Sequence, residues 1–470
     1  MNQEGHADVI IGTQYGDEGK AKEGDNRAND YDIVARFNGG ANAGHTVEHE
    51  GVRIALKQVP SGVFYPGKML YVGSGCMINL KKLADELESL KAINLDVLDR
   101  LKISSQAGVI QPHHVLIDGI AGKNVGTTGN GIGPAYADRA MRMWNTSVLN
   151  IRIGDLVDSP EEYFKAIKEN FKLAASLYNF GNFDFDGELE TMKKALDKIG
   201  KSVEMDPLFL QGKVQKGQRV LFEGAQSFML DVNKGSVPFV TSSNTVASAA
   251  FVGGDLPAKY HRKTIGVAKA IMSRVGHGPF ASEFGGAKSE EYCMSFNPDG
   301  SPLYGRAVEG KYDVNSLLAS ENLFEMGQAV RILSGEYGTV TSRPRRVGGL
   351  DLVQLAYAVR ANGVDELVLT KTDLLQIYGR SKEGKIPIVT SYDLDGKKID
   401  FVPGTTSAYS RVKPIFEYRD GFSEDISEVR EFNKLPQALQ SLVKEIEEKV
   451  ACKIIGVGVG PGRDQYVKVV

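Results

Sequence analysis

The stretch that most constrains this chain lies near its start. There Asp8-Val9-Ile10-Ile11-Gly12-Thr13-Gln14-Tyr15-Gly16-Asp17-Glu18-Gly19-Lys20-Ala21-Lys22 runs from an apolar, branched segment into a glycine-punctuated turn. The run Val9 to Ile11 has the length and branching of a buried strand. Gly16 and Gly19 allow a sharp turn that presents amide N–H groups to an anion at the start of the next helix. The stretch reads as a phosphate-binding loop, with Lys20 as its point charge. It is not a Walker A loop, because Gln14 stands where that pattern has its first Gly and Ala21 where it has Ser or Thr. A Mg²⁺ ion bound here needs another ligand, and Asp17 is the nearest carboxylate. Taken alone, the same residues also fit a plain surface turn.

A second glycine-rich turn, Asn38-Gly39-Gly40-Ala41-Asn42-Ala43-Gly44-His45-Thr46, follows the strand-like run Asp32 to Phe37 and places an imidazole beside it. Together the two stretches resemble the adenylosuccinate synthetase family, whose members couple GTP cleavage to the joining of IMP with L-aspartate. That family carries G-D-E-G-K-x-K in its first phosphate loop and G-G-x-N-A-G-H-T in its second. Corresponding segments continue in family order: Gly126-Thr127-Thr128-Gly129, Gly131-Ile132-Gly133-Pro134, Phe222-Glu223-Gly224-Ala225-Gln226, Val240-Thr241-Ser242-Ser243-Asn244-Thr245, Arg343-Pro344-Arg345-Arg346 and Thr370-Lys371-Thr372-Asp373.

The resemblance implies an α/β fold. Its large central, mostly parallel sheet is flanked by helices, similar in layout to P-loop NTPases without a strict Walker A motif. It implies one domain over 1–470, with a helical subregion near 158–200 and a surface insertion near 282–330. The implied reaction is GTP-dependent ligation of IMP and L-aspartate through 6-phosphoryl-IMP, giving adenylosuccinate, GDP and phosphate. Asp17 would be the base at N1 of IMP, His45 would stabilise charge on the transferred phosphoryl group, and Lys20 and Gln226 would complete the catalytic set. GTP would meet Gly16, Glu18, Gly19, Lys20, Gly44, Thr46, Lys371, Asp373, Gly458 and Gly460. IMP would meet Asp17, Asn42, Thr128, Arg142, Arg152, Gln226 and Thr241, with Arg142 reaching across a homodimer interface. Thr341, Arg343 and Arg345 would hold aspartate, and Asp17 with the Gly44 carbonyl would hold Mg²⁺. Residues Trp144 to Asn150 are additional to the usual family pattern.

The residue types fit those roles. Gly126 to Pro134 is too glycine-rich for a helix interior, and its hydroxyls and free amides suit a monophosphate. Three guanidinium groups within Arg343-Pro344-Arg345-Arg346 suit bidentate capture of a dicarboxylate. An Asp at the end of the buried run Glu366 to Leu369 can accept both the N1–H and the exocyclic amine of guanine, which adenine cannot offer. Two rival functions remain. One is a relative that aminates dGMP, a branch in which the loop aspartate is often replaced, so Asp17 favours IMP. The other is a GTPase-type switch, which needs neither the Gln226 and Thr241 pocket nor the arginine loop.

Length alone, at 470 residues, suggests several domains, but the motifs are spread from Gly16 to Arg463 without a Pro-, Ser- or Gly-rich linker between them. One site built from many loops of one sheet explains that spread. A net charge of −3 and a pI near 6.2 give no electrostatic footprint for nucleic acid or an acidic membrane. The three cysteines, Cys76, Cys293 and Cys452, lie far apart and predict neither a disulfide framework nor a zinc site. No apolar run reaches the roughly 18 residues needed to span a bilayer, and the N-terminus lacks a signal pattern, so a cytoplasmic protein is expected.

Along the chain, Leu80, Leu83, Leu87 and Leu90 mark an amphipathic helix. From Pro160 to Gly200 two helical faces are expected, one of Tyr163, Ile167, Phe171 and Ala174 and one of Leu189, Met192, Leu196 and Ile199. Val237-Pro238-Phe239-Val240 reads as a strand delivering Thr241, and Lys453 to Val457 as another after a final helix from Leu435 to Val450. His113 and His114 are adjacent, so their side chains should diverge, which argues against a metal role.

Overall fold

The structure, a computed structural model, describes residues 5–49, 51–122, 126–338 and 342–469. The first apolar run forms strand β1 (Ala7–Gly12), buried at every position. Continuous Val, Ile and Leu runs with no polar alternation belong to strands covered on both faces, as in a parallel sheet. The other strands of that sheet are β2 (Ile33–Arg36), β3 (Met69–Val72), β4 (Leu101–Ser104), β5 (Val203–Glu204), β6 (Val220–Glu223), β7 (His261–Lys269), β8 (Glu366–Thr370), β9 (Lys453–Gly458) and β10 (Tyr466–Lys468). They form a ten-stranded sheet in the order β5-β4-β3-β2-β6-β1-β7-β8-β9-β10. Every neighbouring pair is parallel except β9 with β10. The expected α/β architecture is therefore present, with β1 in its interior.

Two apolar clusters cover the sheet. One joins β2, β3 and β4 to the helices Leu80–Lys91, Pro160–Leu177 and Phe185–Ile199. The other joins β1, β8 and β9 to Leu352–Asn362 and Gln437–Val450, whose Leu439, Leu442, Val443 and Ile446 face inward. Leu80, Leu83, Leu87 and Leu90 form the buried face of their helix, as their spacing predicts.

Three local expectations change. In Pro160–Leu177 the buried face is Phe164, Ile167, Asn170 and Ala174: Ile167 and Ala174 fall as expected, while Tyr163 and Phe171 are only half-buried. Phe171 instead joins an aromatic group with Phe180, Phe183 and Phe185 at the helix end, a tertiary contact that periodicity cannot reveal. Val237 to Val240 is no strand: its Val237–Pro238 bond is cis and the chain turns there. Third, His113 and His114 do not diverge. At the first turn of the helix Pro112–Ala121 both Nε2 atoms point at Asp138 Oδ2, at 3.3 and 2.9 Å. A metal there is disfavoured for another reason. His114 Nδ1 accepts the Gln111 N–H at 3.0 Å, so neutral His114 carries its proton on Nε2 and donates it to Asp138.

The 282–330 segment, expected as a surface insertion, is exposed around Asn297 to Pro302 but carries the helix Leu323–Ser334, whose Ala329 and Val330 are buried. Within it Glu309 is fully buried and takes a bidentate pair from Arg331, at 2.9 Å from Nε and 2.5 Å from Nη2, plus the Tyr337 hydroxyl at 2.6 Å. Removing one partner leaves a buried charge without its counter-ion. We expect Glu309→Leu to lower unfolding stability by about 3–5 kcal/mol, and Glu309→Leu with Arg331→Met to lose clearly less. Urea unfolding followed by fluorescence checks both; equal losses would show that the pair does not behave as a coupled unit.

Candidate active site

Most of the sequence motifs converge because they follow neighbouring parallel strands. Loops after β2, β6, β1, β7, β8 and β9 leave the same edge of the sheet, where open α/β sheets place ligands. In the loop after β1, Glu18 is fully buried and accepts the N–H of Gln14 at 3.2 Å and of Gly16 at 2.8 Å. Its other oxygen takes Lys20 Nζ at 2.8 Å and Ser227 Oγ at 2.6 Å. Burial works against the charge, but Lys20 and Lys269 outweigh it and hold the Glu18 carboxyl below its usual range. Gly12 is required beneath it, since a Cβ there would lie 2.3 Å from Glu18 Oε2. The Glu18 side chain thus braces the loop from within, and its carbonyl accepts Thr370 Oγ1 at 2.7 Å, so Glu18, expected as a GTP contact, is wholly buried. Gly19 caps the helix Lys20–Arg27 with φ 89°, leaving that N-terminus open to an anion.

Asp17 sits in the left-handed region at φ 59°, which costs a non-glycine residue strain that persists only where the surroundings enforce it. Its side chain is 43% exposed, and Oδ2 accepts Arg345 Nη2 at 2.8 Å. In the second loop the strand His45–His49 turns His45 inward while Gly44 and Thr46 are exposed. His45 Nδ1 meets Glu223 Oε1, and Glu223 Oε2 accepts both the N–H and the Oγ–H of Ser61, at 3.0 and 2.7 Å. Burial opposes ionisation of Glu223, but His45, Arg36 and Ser61 hold it ionised, down to about 2. Burial also pulls His45 below its usual value against the pull of Glu223. The Glu223 carboxylate thus faces Nδ1 and sets the orientation of the imidazole ring. Glu223 was missed as a functional group, although an acidic residue ending a buried strand was its signal.

Gln226, at φ 54°, has a buried Oε1 that no group among the described residues satisfies. That atom and Asn42 Oδ1 would lie 3.2 and 3.3 Å from a Cβ on Gly39, so Asn42, Gly39 and Gln226 meet at one point. The Gly39 N–H also reaches Tyr136 of the helix Ile132–Met141, at 3.1 Å. Thr128 is exposed just before that helix, its hydroxyl accepting Asn130 Nδ2 at 2.8 Å. Thr241 is half-buried, held by its N–H on Leu230 at 2.7 Å. Arg142 and Arg152 are exposed, on either side of a hairpin pairing Met143–Trp144 with Ser147–Val148.

Of the arginine loop, Thr341 lies outside the described residues. Arg343 is half-buried, with its guanidinium 5.7 Å from the Phe296 ring. Arg345 bridges Asp17 and Glu336, its Nη1 2.9 Å from Glu336 Oε2. Arg346 is not available for a dicarboxylate: it is buried, paired with Glu283 and donating to the carbonyls of Gly276 and Gly278 at 3.2 and 2.7 Å. At the end of β8, Lys371 Nζ pairs with Glu336 and Thr372 Oγ1 donates to the Gly458 carbonyl at 3.0 Å. Burial raises the Asp373 carboxyl above its usual value. Lys22 donates to the Gly460 carbonyl at 2.6 Å, and burial pushes it down to about 8 against the pull of Asp373. Asp373, Gly458 and Gly460 thus share one end of the site, and Lys22 is a further member the sequence did not single out.

The chain has close relatives. A profile of adenylosuccinate synthetase matches residues 9–467. Adenylosuccinate synthetase 2 of Cupriavidus pinatubonensis is 43% identical over 463 residues, covering 98% of this chain and 97% of that one. The fully ligated adenylosuccinate synthetase of Plasmodium falciparum superposes with a TM-score of 0.83 at 31% identity, over 99% of this chain and 100% of that one. The succinoaminodeoxyadenylate synthetase of cyanophage S-2L, bound to dGMP and dATP, matches with a TM-score of 0.59 over 99% of this chain and 96% of that one; at 18% identity it shares the fold alone. By near-complete sequence match, sheet order and convergent loops, this chain belongs to the adenylosuccinate synthetase family.

Proposed function

We propose that the site ligates IMP to L-aspartate with cleavage of GTP. The observation that carries this reading is Asp17, a strained and partly exposed carboxylate at the tip of a phosphate loop, ion-paired to an arginine of the opposite loop. The oxo group at C6 of IMP is a poor leaving group and must be activated before an amine can replace it. Asp17 takes the N1 proton, raising electron density on O6, which attacks the γ-phosphorus and releases GDP. His45, oriented through Nδ1 by Glu223, directs Nε2 toward the transferring group and stabilises its charge once protonated. The Lys20 ammonium and the amides at the start of Lys20–Arg27 neutralise the phosphates. The aspartate amine then attacks C6, and phosphate departs with O6.

The unsatisfied Gln226 Oε1, with Asn42 and Thr241, serves the IMP pocket, and Thr128 and Arg152 its phosphate. A homodimer is supported by exposed Met141, Met143, Trp144 and Val148 around Arg142, an apolar face that a second copy would cover while Arg142 reaches its IMP. The Asp17 carboxylate, one oxygen of which pairs with Arg345, and the Gly44 carbonyl belong to exposed residues and are hard oxygen donors that fit Mg²⁺. When bound, Mg²⁺ would neutralise charge on the GTP phosphates. Among the described residues no helix is long and apolar enough to cross a membrane, and the compartment we assign to the reaction is the cytoplasm.

The direct test compares GTP- and aspartate-dependent consumption of IMP and of dGMP by the purified protein. Turnover of IMP is expected; a preference for dGMP would move the chain to the rival reaction. Asp17→Ala should lower turnover by about a hundredfold or more while GDP still binds, because a general base rather than a phosphate cradle is lost. Retention of a tenth of the rate would remove Asp17 from that role.

Arg343→Leu should raise KM for aspartate selectively, by about 2–5 kcal/mol in transition-state terms if its carboxylate partner is desolvated. Arg345→Leu should also lower kcat, since Asp17 and Glu336 lose their common partner. Steady-state kinetics with each substrate varied decides this, and equal effects on all three substrates would assign the loop a structural role.

Asp373→Asn should shift nucleotide choice from GTP toward xanthosine triphosphate. The substituted amide brings a donor that opposes guanine N1–H but suits the added carbonyl of xanthine, and unpaired buried groups cost about 1–3 kcal/mol each. Competition between the two triphosphates reads the switch. An unchanged preference for GTP would place the base-reading residue elsewhere.

A further inference from the structure

Lys269, the last residue of β7, is fully buried and touches none of the groups assigned to a substrate except the loop of Asp17. Its Nζ donates to the Gly16 carbonyl at 2.8 Å, to Ser273 Oγ at 2.6 Å and to the Ser273 carbonyl at 3.3 Å. Its main chain is clamped to the same loop: the Lys269 N–H donates to Gln14 Oε1 and the Lys269 carbonyl accepts from Gln14 Nε2, both at 3.0 Å. Ser273 Oγ in turn donates to Glu336 Oε2 at 3.0 Å, and Glu336 also binds Arg345, which binds Asp17. The contacts close a ring. Starting at the Gly16 carbonyl, it passes through Lys269, Ser273, Glu336 and Arg345 and returns to the Asp17 carboxylate.

The Gly16 carbonyl belongs to the peptide unit that precedes Asp17, so fixing it fixes the plane from which the strained φ of 59° departs. The other end of the ring fixes the carboxylate. A buried ammonium is costly unless paired, and here burial pushes Lys269 down to about 8 against the attraction of Glu336. Satisfying the Gly16 carbonyl for stability alone would need no charge, since a neutral donor would serve.

We propose that Lys269, backed by Ser273 and Glu336, is the positioning residue for Asp17, holding the base in the geometry needed to take the N1 proton. This rests on the reading of Asp17 as the base. Lys269→Met keeps most of the side-chain volume, and Glu336 keeps Lys371 and Arg345 as counter-ions. A misplacement of about 1 Å at a reacting group can cost on the order of a hundredfold. Lys269→Met is therefore expected to lower kcat by about thirtyfold or more, with KM for each substrate and Kd for GDP within about threefold of wild type. The first step should slow equally. It is read alone, without aspartate, as IMP-dependent scrambling of oxygen-18 between bridging and non-bridging positions of GTP.

A kcat within about threefold of wild type overturns the proposal, as does a fall in kcat matched by an equal loss of affinity for all substrates, the mark of a loosened site. If Lys269→Met does not fold, Ser273→Ala decides, since it interrupts the ring and leaves every charge in place. A kcat reduced at least about threefold with unchanged KM supports the proposal, and an unchanged kcat overturns it. Wild-type turnover is measured alongside: its absence would remove the ligase reading itself, whereas its presence with an indifferent Lys269 removes only the positioning role.

Discussion

The Glu18 carboxylate is the interaction on which the site depends. It gathers two loop N–H groups, the Lys20 ammonium and the Ser227 hydroxyl around one fully buried charge. Charge-assisted bonds of this kind are about twice as strong as neutral ones, and breaking a buried pair costs about 3–5 kcal/mol. Because Ser227 follows β6 while Glu18 follows β1, the same carboxylate locks two neighbouring strand ends together. The phosphate loop is thereby rigid before any ligand arrives, and the strain at Asp17 has something firm to push against.

Much of this was legible in the sequence where the information is local. Buried parallel strands announce themselves as unbroken apolar runs, and the strands at Ala7, Ile33, Val220, Glu366 and Lys453 fall where such runs are. The leucine spacing of the helix from Leu80 is equally local. Thr13 to Lys20 and Asn38 to Thr46 carry their turn chemistry in adjacent residues. Contacts joining distant positions were not legible: Glu223 with His45, Arg345 with Asp17, and Glu336 with Lys371 pair residues far apart in the chain, and only the tertiary fold brings them together.

The misjudged elements follow the same division. Arg346 looked like its neighbours but is withdrawn to Glu283, a partner far back in the chain. The buried face beginning at Phe164 and the turn at Val237 are tertiary outcomes that override local pattern. His113 and His114 converge because they sit in the first turn of a helix that packs beside Asp138. The near-neutral overall charge conceals a site dense in ions, because cations such as Lys20, Arg345 and Lys371 are paired with the buried carboxylates of Glu18 and Glu336 rather than left to project a field.

Glu336 serves as common counter-ion to Arg345, from the loop that would hold the amino acid, and to Lys371, beside the residue that would read the base. Both cations act on the same carboxylate, so each alters the position and hydrogen bonding that Glu336 offers the other. Sequence change at these two positions is therefore epistatic: the effect of each substitution depends on which residue occupies the other, with coupling of about 0.5–3 kcal/mol typical for groups in one ion network. Altering the nucleotide donor and altering the amino-acid acceptor are then not separable engineering problems in this scaffold.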